Sequence, residues 1–277
     1  MAEFEKLRVS LTRDAQGPIL REIGYDDSHR SRQEFLIAAF AEEHSFLHVK
    51  TGKRFDFIPI KIDGDYVAGI FRRAAPVPLH NVSLEQYEAE NYEGAVFIMS
   101  VAKDQTAWMQ FNRKLGSPKP ILESFFNFLA KKTDVNDWKI FVKHFEDEQE
   151  YFSVISEKRN EIAEISFTFI PPNALSADDE VYNFVKTLQL EAHPDTQKHT
   201  YKADPGQMIP DTEYMNASAR VAMAGGGDAE VRDKKRRLLY GKANGKVTQD
   251  VPNDDLPTPN HVSFISRVRT WLYGDEG

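Results

Sequence analysis

The sequence predicts an α+β fold with mixed, largely antiparallel sheets and packed helices. Strand-like patterns alternate with isolated helical patterns, and hairpin signals favour this class over a doubly wound sheet. Asp63-Gly64-Asp65, between two strand-like runs, is typical of a hairpin turn. Apolar residues make up 41% of the 277 residues and include 19 Phe, so a substantial core is expected.

Most of the chain can be assigned to strands and helices from its periodicity. Strands are expected at 7–11, 45–49, 54–62, 66–72, 95–99, 107–111, 165–170, 217–224, 230–231, 237–240 and 246–251, and a strand or a short helix at 138–145. Helices are expected at 33–42, at 84–91 behind a Ser83 cap, over the apolar face from Ile121 to Leu129, at 151–162, at 178–190 behind a Ser176 cap, and at 262–273. Residues 191–215 are polar and proline-containing, which predicts a loop or a linker.

A change in character near residue 174 predicts two domains. Residues 1–174 would form an N-terminal α+β domain, and residues 175–277 a helix with a β-hairpin region and a closing helix. A single continuous domain is the alternative.

Composition narrows the class of protein. The formal charge of −8 argues against a protein that coats nucleic acid through its global charge, although local basic patches remain compatible with it. The absence of cysteine excludes disulfides and thiolate chemistry and fits a cytoplasmic protein. The first residues are charged and no apolar run approaches the ~20 residues of a membrane helix, so neither a signal peptide nor membrane insertion is expected.

The first basic segment, residues 112–119, lies where a strand pattern passes into a helix. Ser117 is placed as an N-cap and Pro118 as the first helical residue. Because a helix start attracts anions, Arg113, Lys114, Ser117 and Lys119 are candidate contacts to a phosphate or a carboxylate. A solvated basic hairpin is the alternative. No phosphate-binding loop of the Gly-x-x-x-x-Gly-Lys-Ser/Thr type is present, so nucleotide hydrolysis is not indicated.

The second basic segment, residues 232–246, concentrates cations in an acidic chain. Cations beside an aromatic ring on strands can follow a phosphate backbone and stack a base. The candidate contacts are Arg232, Lys235, Arg236, Arg237 and Tyr240, with Lys234, Lys242 and Lys246 nearby. A solvated sheet face whose lysines protect an edge is the alternative.

Other patterns carry weaker hypotheses. His44 and His48 are four residues apart, as metal ligands on a helix would be, but they fall in a strand pattern without a third ligand, so no metal site and no cofactor is expected. His29 and Arg30 lie in a charged run, 26–32, that could serve a metal-independent ribonuclease. The acidic run 146–150 is interpreted as a solvated helix face, with a basic partner as the alternative.

Three short stretches carry a resemblance to known proteins: Gln110-Phe111-Asn112-Arg113-Lys114, the strand pattern 165–170 ending at Pro171-Pro172-Asn173, and Gly225-Gly226-Gly227. Over residues 95–240 the chain resembles uncharacterised bacterial accessory proteins encoded beside antiphage-defence genes. The resemblance implies a cytoplasmic accessory or defence role, and it transfers no catalytic residue.

The leading hypothesis is therefore a non-enzymatic cytoplasmic binding protein of a bacterial or phage conflict system. It would contact nucleic acid or another polyanion through the two basic segments. One alternative is an oligomeric scaffold or protein-interaction subunit, based on the abundant Phe and on Trp108, Trp138 and Trp271. A metal-independent ribonuclease toxin centred on His29 and Arg30 is the other.

Overall fold

The computed structural model describes residues 1–13, 31–101, 105–132, 138–170, 180–192, 194–241, 245–256 and 264–273. The fold is α+β, as the sequence predicts. All strand pairs in the described residues are antiparallel.

The strands and helices follow one another as expected from periodicity over most of the chain. The strands are β1 (Ala2–Arg13), β2 (His44–Leu47), β3 (Arg54–Asp63), β4 (Tyr66–Ala74), β5 (Val77–His80), β6 (Gln86–Ala89), β7 (Tyr92–Ser100), β8 (Thr106–Gln110), β9 (Trp138–His144), β10 (Ile162–Phe169), β11 (Gln197–Lys202), β12 (Gly227–Asp233), β13 (Leu238–Tyr240) and β14 (Thr248–Val251). The helices are α1 (Arg32–Ala41), α2 (Pro118–Lys132), α3 (Glu148–Glu157), α4 (Glu180–Ala192), α5 (Glu213–Val221) and α6 (Phe264–Tyr273).

Three sheets organise these strands. The large sheet has the order β14-β1-β8-β7-β4-β3-β2, and β9 pairs with the second half of β1. The small sheet has the order β11-β10-β12-β13. Strands β5 and β6 pair with each other and extend the β4–β7 hairpin as a two-stranded ribbon.

Helices cover both faces of the large sheet. On one face, α1 and α2 pack onto β1, β3 and β7 through a cluster of fully buried phenylalanines, among them Phe40, Phe57, Phe97 and Phe125. Helix α6 packs on the opposite face, where Val268 joins the buried cluster. The apolar face predicted for α2 is therefore the face that fixes this helix on the sheet.

The small sheet has its own core. Phe167 and Phe169 of β10 are fully buried beneath α3 and α4, and Val231 of β12 belongs to the same cluster. Strand pairing joins residues on both sides of position 174, because β10 pairs with β11 and β12 while β14 pairs with β1. The division into two domains stays a prediction.

Three of the expected elements are wrong. Residues 84–91 form β6 and its flanking turn, not a helix, because the Asn81 side chain accepts from Ser83 N–H and Glu85 N–H and starts a hairpin. Residues 217–224 belong to α5 and to a π-helical turn, Ala222–Gly226, not to a strand. The expected loop 191–215 contains β11 and the start of α5.

Helix α5 has a clear local cause that alternation alone did not reveal. Thr212 caps it, since its side chain accepts from Met215 N–H, and alanines with high helix propensity follow. Gly225, at a φ of +75°, then ends the helical path, as a residue without a Cβ can at positive φ. The expected caps at Ser83 and Ser176 differ in outcome: Ser83 caps no helix, and Ser176 lies outside the described residues.

Candidate site at the start of helix α2

A polar cavity of about 330 Å³ opens where the large sheet, the small sheet and the start of α2 meet. We call it the junction pocket. It is lined by Lys50, Ser117, Lys119, Pro120, Glu123, His144, Glu146, Asp228 and Lys246. Its size lies in the range of small-molecule sites, roughly 300–1,000 Å³.

The backbone around the pocket is held from several directions. Residue 145 donates its N–H to the Lys6 carbonyl at 3.0 Å and accepts from Val247 N–H at 3.0 Å. Glu146 donates its N–H to the Met223 carbonyl at 2.9 Å and forms a β-bridge with Lys246. His144 and Glu146 are therefore fixed by β1, by the π-helical turn and by the segment before β14.

Glu5, His144 and Lys246 form a hydrogen-bonded group in the wall of the pocket. Glu5 Oε2 lies 2.9 Å from His144 Nε2, and Lys246 Nζ donates to Glu5 Oε1 at 3.0 Å. Burial alone would raise the pKa of Glu5, but these hydrogen bonds and charges hold it below its ordinary value. Glu5 is therefore a buried carboxylate that orients both His144 and Lys246.

Asp228 is the second residue of β12; it lines the pocket and pairs with Lys143 of β9. A Cβ at Gly227 would collide with the Thr168 carbonyl, and a Cβ at Gly225 would lie 2.7 Å from Arg8 Cβ. The missing side chains thus allow the close approach that seats β12 against β10 and brings Asp228 beside β9.

Glu146 is a buried acid of the pocket whose pKa is raised. Its side chain is only 7% exposed, and Oε2 accepts from the Tyr240 hydroxyl at 2.9 Å. Burial and the nearby Asp228 raise its pKa to about 7, although the Tyr240 hydrogen bond, Lys143 and Lys119 act in the opposite direction. Glu146 therefore exchanges its proton near neutral pH.

This protonation decides the charge of the lining. Three lysines and three carboxylic acids line the pocket. When Glu146 is neutral, the lysines outnumber the remaining carboxylates. Helix α2 also begins here, at Pro118, and the positive end of the helix dipole favours an anion, although Pro118 and Pro120 carry no N–H to donate.

Only some residues of the first basic segment line the junction pocket. Ser117 and Lys119 line the junction pocket, and α2 begins at Pro118 as the sequence predicts. Lys114 instead pairs with Glu93 at 2.6 Å and is 72% exposed. Arg113 is exposed and does not line the pocket.

The second basic segment is also divided. Lys246 lines the pocket. Tyr240 lies behind the pocket and donates its hydroxyl to Glu146. The Tyr240 ring is fully buried, so it has no exposed face on which a base could stack. The other candidates lie on or beside the β12–β13 turn, about 13 Å or more along the strand from Asp228. Arg232 pairs with Glu230, Arg237 pairs with Asp233, and Lys235 and Arg236 are exposed.

The weaker hypotheses have the following outcomes. His44 and His48 are buried separately, the first against the Ala39 carbonyl at 2.8 Å and the second near Thr51 N–H at 3.3 Å. Over the described ranges, no group of three or more His, Asp or Glu side chains is placed to hold a metal ion. His29 and Arg30 lie outside the described residues. No described helix combines the length and apolarity needed to cross a bilayer.

Sequence reasoning missed three titratable residues of the pocket and its wall. The sequence places Glu146 on an acidic helix face, whereas in the structure it precedes α3 and is buried. Glu5 and His144 each carry a signal that periodicity could have used. Glu5 shares the alternation of the buried residues Leu7 and Val9, and His144 shares that of Val142, so each places a polar group on the core-facing side.

Comparisons of the chain with protein-family models, with curated proteins and with solved structures find no match.

Proposed function

We propose that the protein binds nucleic acid or another polyanion in the cytoplasm, as part of a bacterial or phage antiphage-defence system, and that the junction pocket holds a phosphate group. The observation that carries the proposal is the meeting of the two basic segments. Ser117 and Lys119 from the first and Lys246 from the second line one cavity, together with Lys50. The defence context rests on the sequence resemblance.

The chemistry of the pocket supports an anionic ligand. Lysine ammonium groups and the positive end of a helix dipole both favour a phosphate oxygen, and Ser117 adds a hydroxyl donor. Lys246 is held by Glu5 at 3.0 Å, so its position is set before a ligand arrives. Lys235 and Arg236 offer a second, exposed contact for a longer polyanion that follows β12.

The test is binding of a fluorescent single-stranded oligonucleotide, followed by anisotropy over a series of salt concentrations. Lys119→Ala with Lys246→Ala should weaken binding at least tenfold and lower the salt slope by about 1.4, the value of two phosphate contacts on a single strand. Lys131→Ala with Lys202→Ala is the control, because it removes the same charge. Lys131 lies about 18 Å along α2 from Lys119.

Lys235→Ala with Arg236→Ala tests the second contact in the same assay. For long oligonucleotides, we expect this variant to lose less affinity than the pocket variant does. For short oligonucleotides, we expect it to lose little affinity. Binding that is absent, or that does not depend on salt, would contradict the proposed function. Equal losses in the pocket and control variants would remove the pocket from it.

A second candidate function, a protein-interaction or scaffold role, is favoured by the ribbon formed by β5 and β6. The ribbon leaves apolar side chains in solvent, among them Leu79, Val82, Leu84 and Tyr87 at 41%, 104%, 81% and 49% exposure. Exposed apolar clusters mark interaction sites. By contrast, Trp108 and Trp138 are buried in the core, and Trp271 is 45% exposed.

Truncating the ribbon separates this candidate from the first. Ala75 N–H donates to the Asn91 carbonyl at 2.8 Å, so Asn-Gly can replace residues 76–90 without changing the β4–β7 pairing. If the ribbon mediates self-association, the truncated chain should lose its higher-mass species in light scattering and keep its thermal midpoint. A monomeric parent chain at every concentration would argue against self-association.

A further inference from the structure

The junction pocket contains acid–base groups that phosphate binding alone does not require. His144 and Glu146 both line the cavity and are two residues apart in extended backbone, which directs their side chains to one side. The backbone hydrogen bonds to Lys6, Met223 and Val247 hold this segment in place. A base and an acid are therefore positioned at the same cavity.

His144 is arranged as a base. The Glu5 carboxylate, 3% exposed, lies 2.9 Å from Nε2 and assigns the N–H of the neutral ring to that atom. The lone pair is then on Nδ1. No hydrogen bond to Nδ1 is made within the described part of the chain, and the His144 side chain lines the cavity. The arrangement is that of a carboxylate orienting a histidine base.

Glu146 is arranged as an acid. The charged and titratable groups around it are Tyr240 from β13, Asp228 from β12, Lys143 from β9 and Lys119 from α2. Tyr240 occupies Oε2, which leaves Oε1 to carry a proton. With a pKa near 7, this carboxyl group can hold a proton at neutral pH and release it during a reaction.

We infer that the junction pocket cleaves RNA, with the ribose 2′-hydroxyl as nucleophile, His144 as general base and Glu146 as general acid. The inference rests on the proposed function, since RNA must first bind at the pocket. His144 Nδ1 takes the 2′-hydroxyl proton while the 2′-oxygen bonds to phosphorus. The bond from phosphorus to the 5′-oxygen breaks, and that oxygen takes the proton of Glu146.

The products are one fragment ending in a 2′,3′-cyclic phosphate and one beginning with a 5′-hydroxyl, so no further reactant is needed. Lys119 and Lys246 would stabilise the charge that develops on the non-bridging phosphate oxygens. This site differs from the ribonuclease hypothesis on His29 and Arg30, because it uses other residues at another position in the chain.

The experiment uses the full chain and three 5′-labelled oligonucleotides of the same sequence: RNA, DNA and 2′-O-methyl RNA. RNA should be cleaved to cyclic-phosphate and 5′-hydroxyl fragments, identified by mass spectrometry, while the other two are bound but remain intact. His144→Ala and Glu146→Gln should each reduce the cleavage rate at least a hundredfold. The exposed residues His80 and Glu148 supply the controls His80→Ala and Glu148→Gln, which should cleave at the parent rate.

A substrate with sulfur in place of the bridging 5′-oxygen distinguishes the acid from the base. A thiolate leaves without protonation, so Glu146→Gln should cleave this substrate nearly as fast as the parent chain does. His144→Ala should stay slow, because the 2′-hydroxyl still needs a base. Failure of the sulfur substrate to rescue Glu146→Gln would overturn the acid role.

The remaining outcomes separate this inference from the proposed function. Binding of all three oligonucleotides without cleavage of RNA would overturn the inference and leave the proposed function standing. Absence of binding would overturn both. Cleavage of DNA at the RNA rate, or cleavage that persists in both His144→Ala and Glu146→Gln, would also overturn the inference.

Discussion

Glu146 couples the stability of the fold to pH. Its pKa is about 7 in the folded chain, against 4.5 for an ordinary Glu, because the pocket wall disfavours its charge. Below pH 4.5 the carboxyl is neutral in both the folded and the unfolded chain, so it does not lower the free energy of unfolding. Between about pH 4.5 and 7 only the unfolded chain loses the proton, so folding stability falls as pH rises, and above 7 the loss is complete.

Glu146→Gln should remove this pH dependence. The amide is neutral at every pH and its oxygen can still accept from Tyr240. Relative to the parent chain, the variant should gain about 3 kcal/mol of unfolding free energy between pH 4.5 and pH 8, the equivalent of about 2.5 pKa units. Urea unfolding at several pH values measures it. Glu148→Gln, at an exposed position, is the control, and a stability difference for Glu146→Gln that does not change with pH would contradict the prediction.

At the residue scale, the sequence indicated some cations of the site but not its acids. Ser117 and Lys119 were found because a helix start is a local signal. Glu5 and His144 were missed because each is a polar residue on the core-facing side of a strand. Such a residue indicates a site only when its hydrogen-bond partner is known. His144 and Glu5 are separated by 139 positions along the chain.

At the scale of elements, α2 is held on the large sheet by Phe125. The ring is fully buried and contacts the rings of Phe40, Phe46, Phe57 and Phe71 at centroid distances of 5.3–5.4 Å. The same helix carries Lys119 at its start. Packing along the middle of α2 therefore sets the position of a pocket residue about 9 Å away, six helical rises along the axis.

Phe125→Ala should destabilise the protein by about 3–5 kcal/mol, because the change leaves a cavity among aromatic rings that cannot close around it. Chemical unfolding at pH 7 measures the loss. Phe111→Ala, at a position 38% exposed, is the control and should cost far less. Phe125→Leu keeps most of the volume and should fall between them. A loss below 1 kcal/mol for Phe125→Ala would show that α2 is held by other contacts.

Element prediction succeeded where local signals agreed with tertiary packing. The apolar stripe of α2 and the Pro118 start were confirmed. Prediction failed at 84–91, where a side-chain turn at Asn81 produced a ribbon, and at 217–224, where a Thr212 cap and alanines produced a helix. In both places the structure was decided by a polar side chain that accepts from a nearby backbone N–H, and this side chain lies outside the apolar pattern.

At the scale of the whole molecule, the predicted boundary at residue 174 can be tested directly. In a fragment of residues 1–174, β10 would lose its partners β11 and β12, and β1 would lose β14. Phe167 and Phe169, fully buried in the whole chain, would be exposed. We expect the fragment to lack a near-ultraviolet circular dichroism signal like that of the full chain and to unfold without cooperativity. Cooperative unfolding of the fragment would instead support two domains.

The sequence by itself determined the α+β class, most strands and helices, and the start of α2 at Pro118, because these follow from periodicity and capping within a few residues. Only the tertiary structure decided which charged groups share a cavity. Lys246 reaches Glu5 across 241 positions, and Asp228 meets β9 through a turn that glycines permit. Strand pairing between distant segments produces these contacts, and no local pattern encodes their partners.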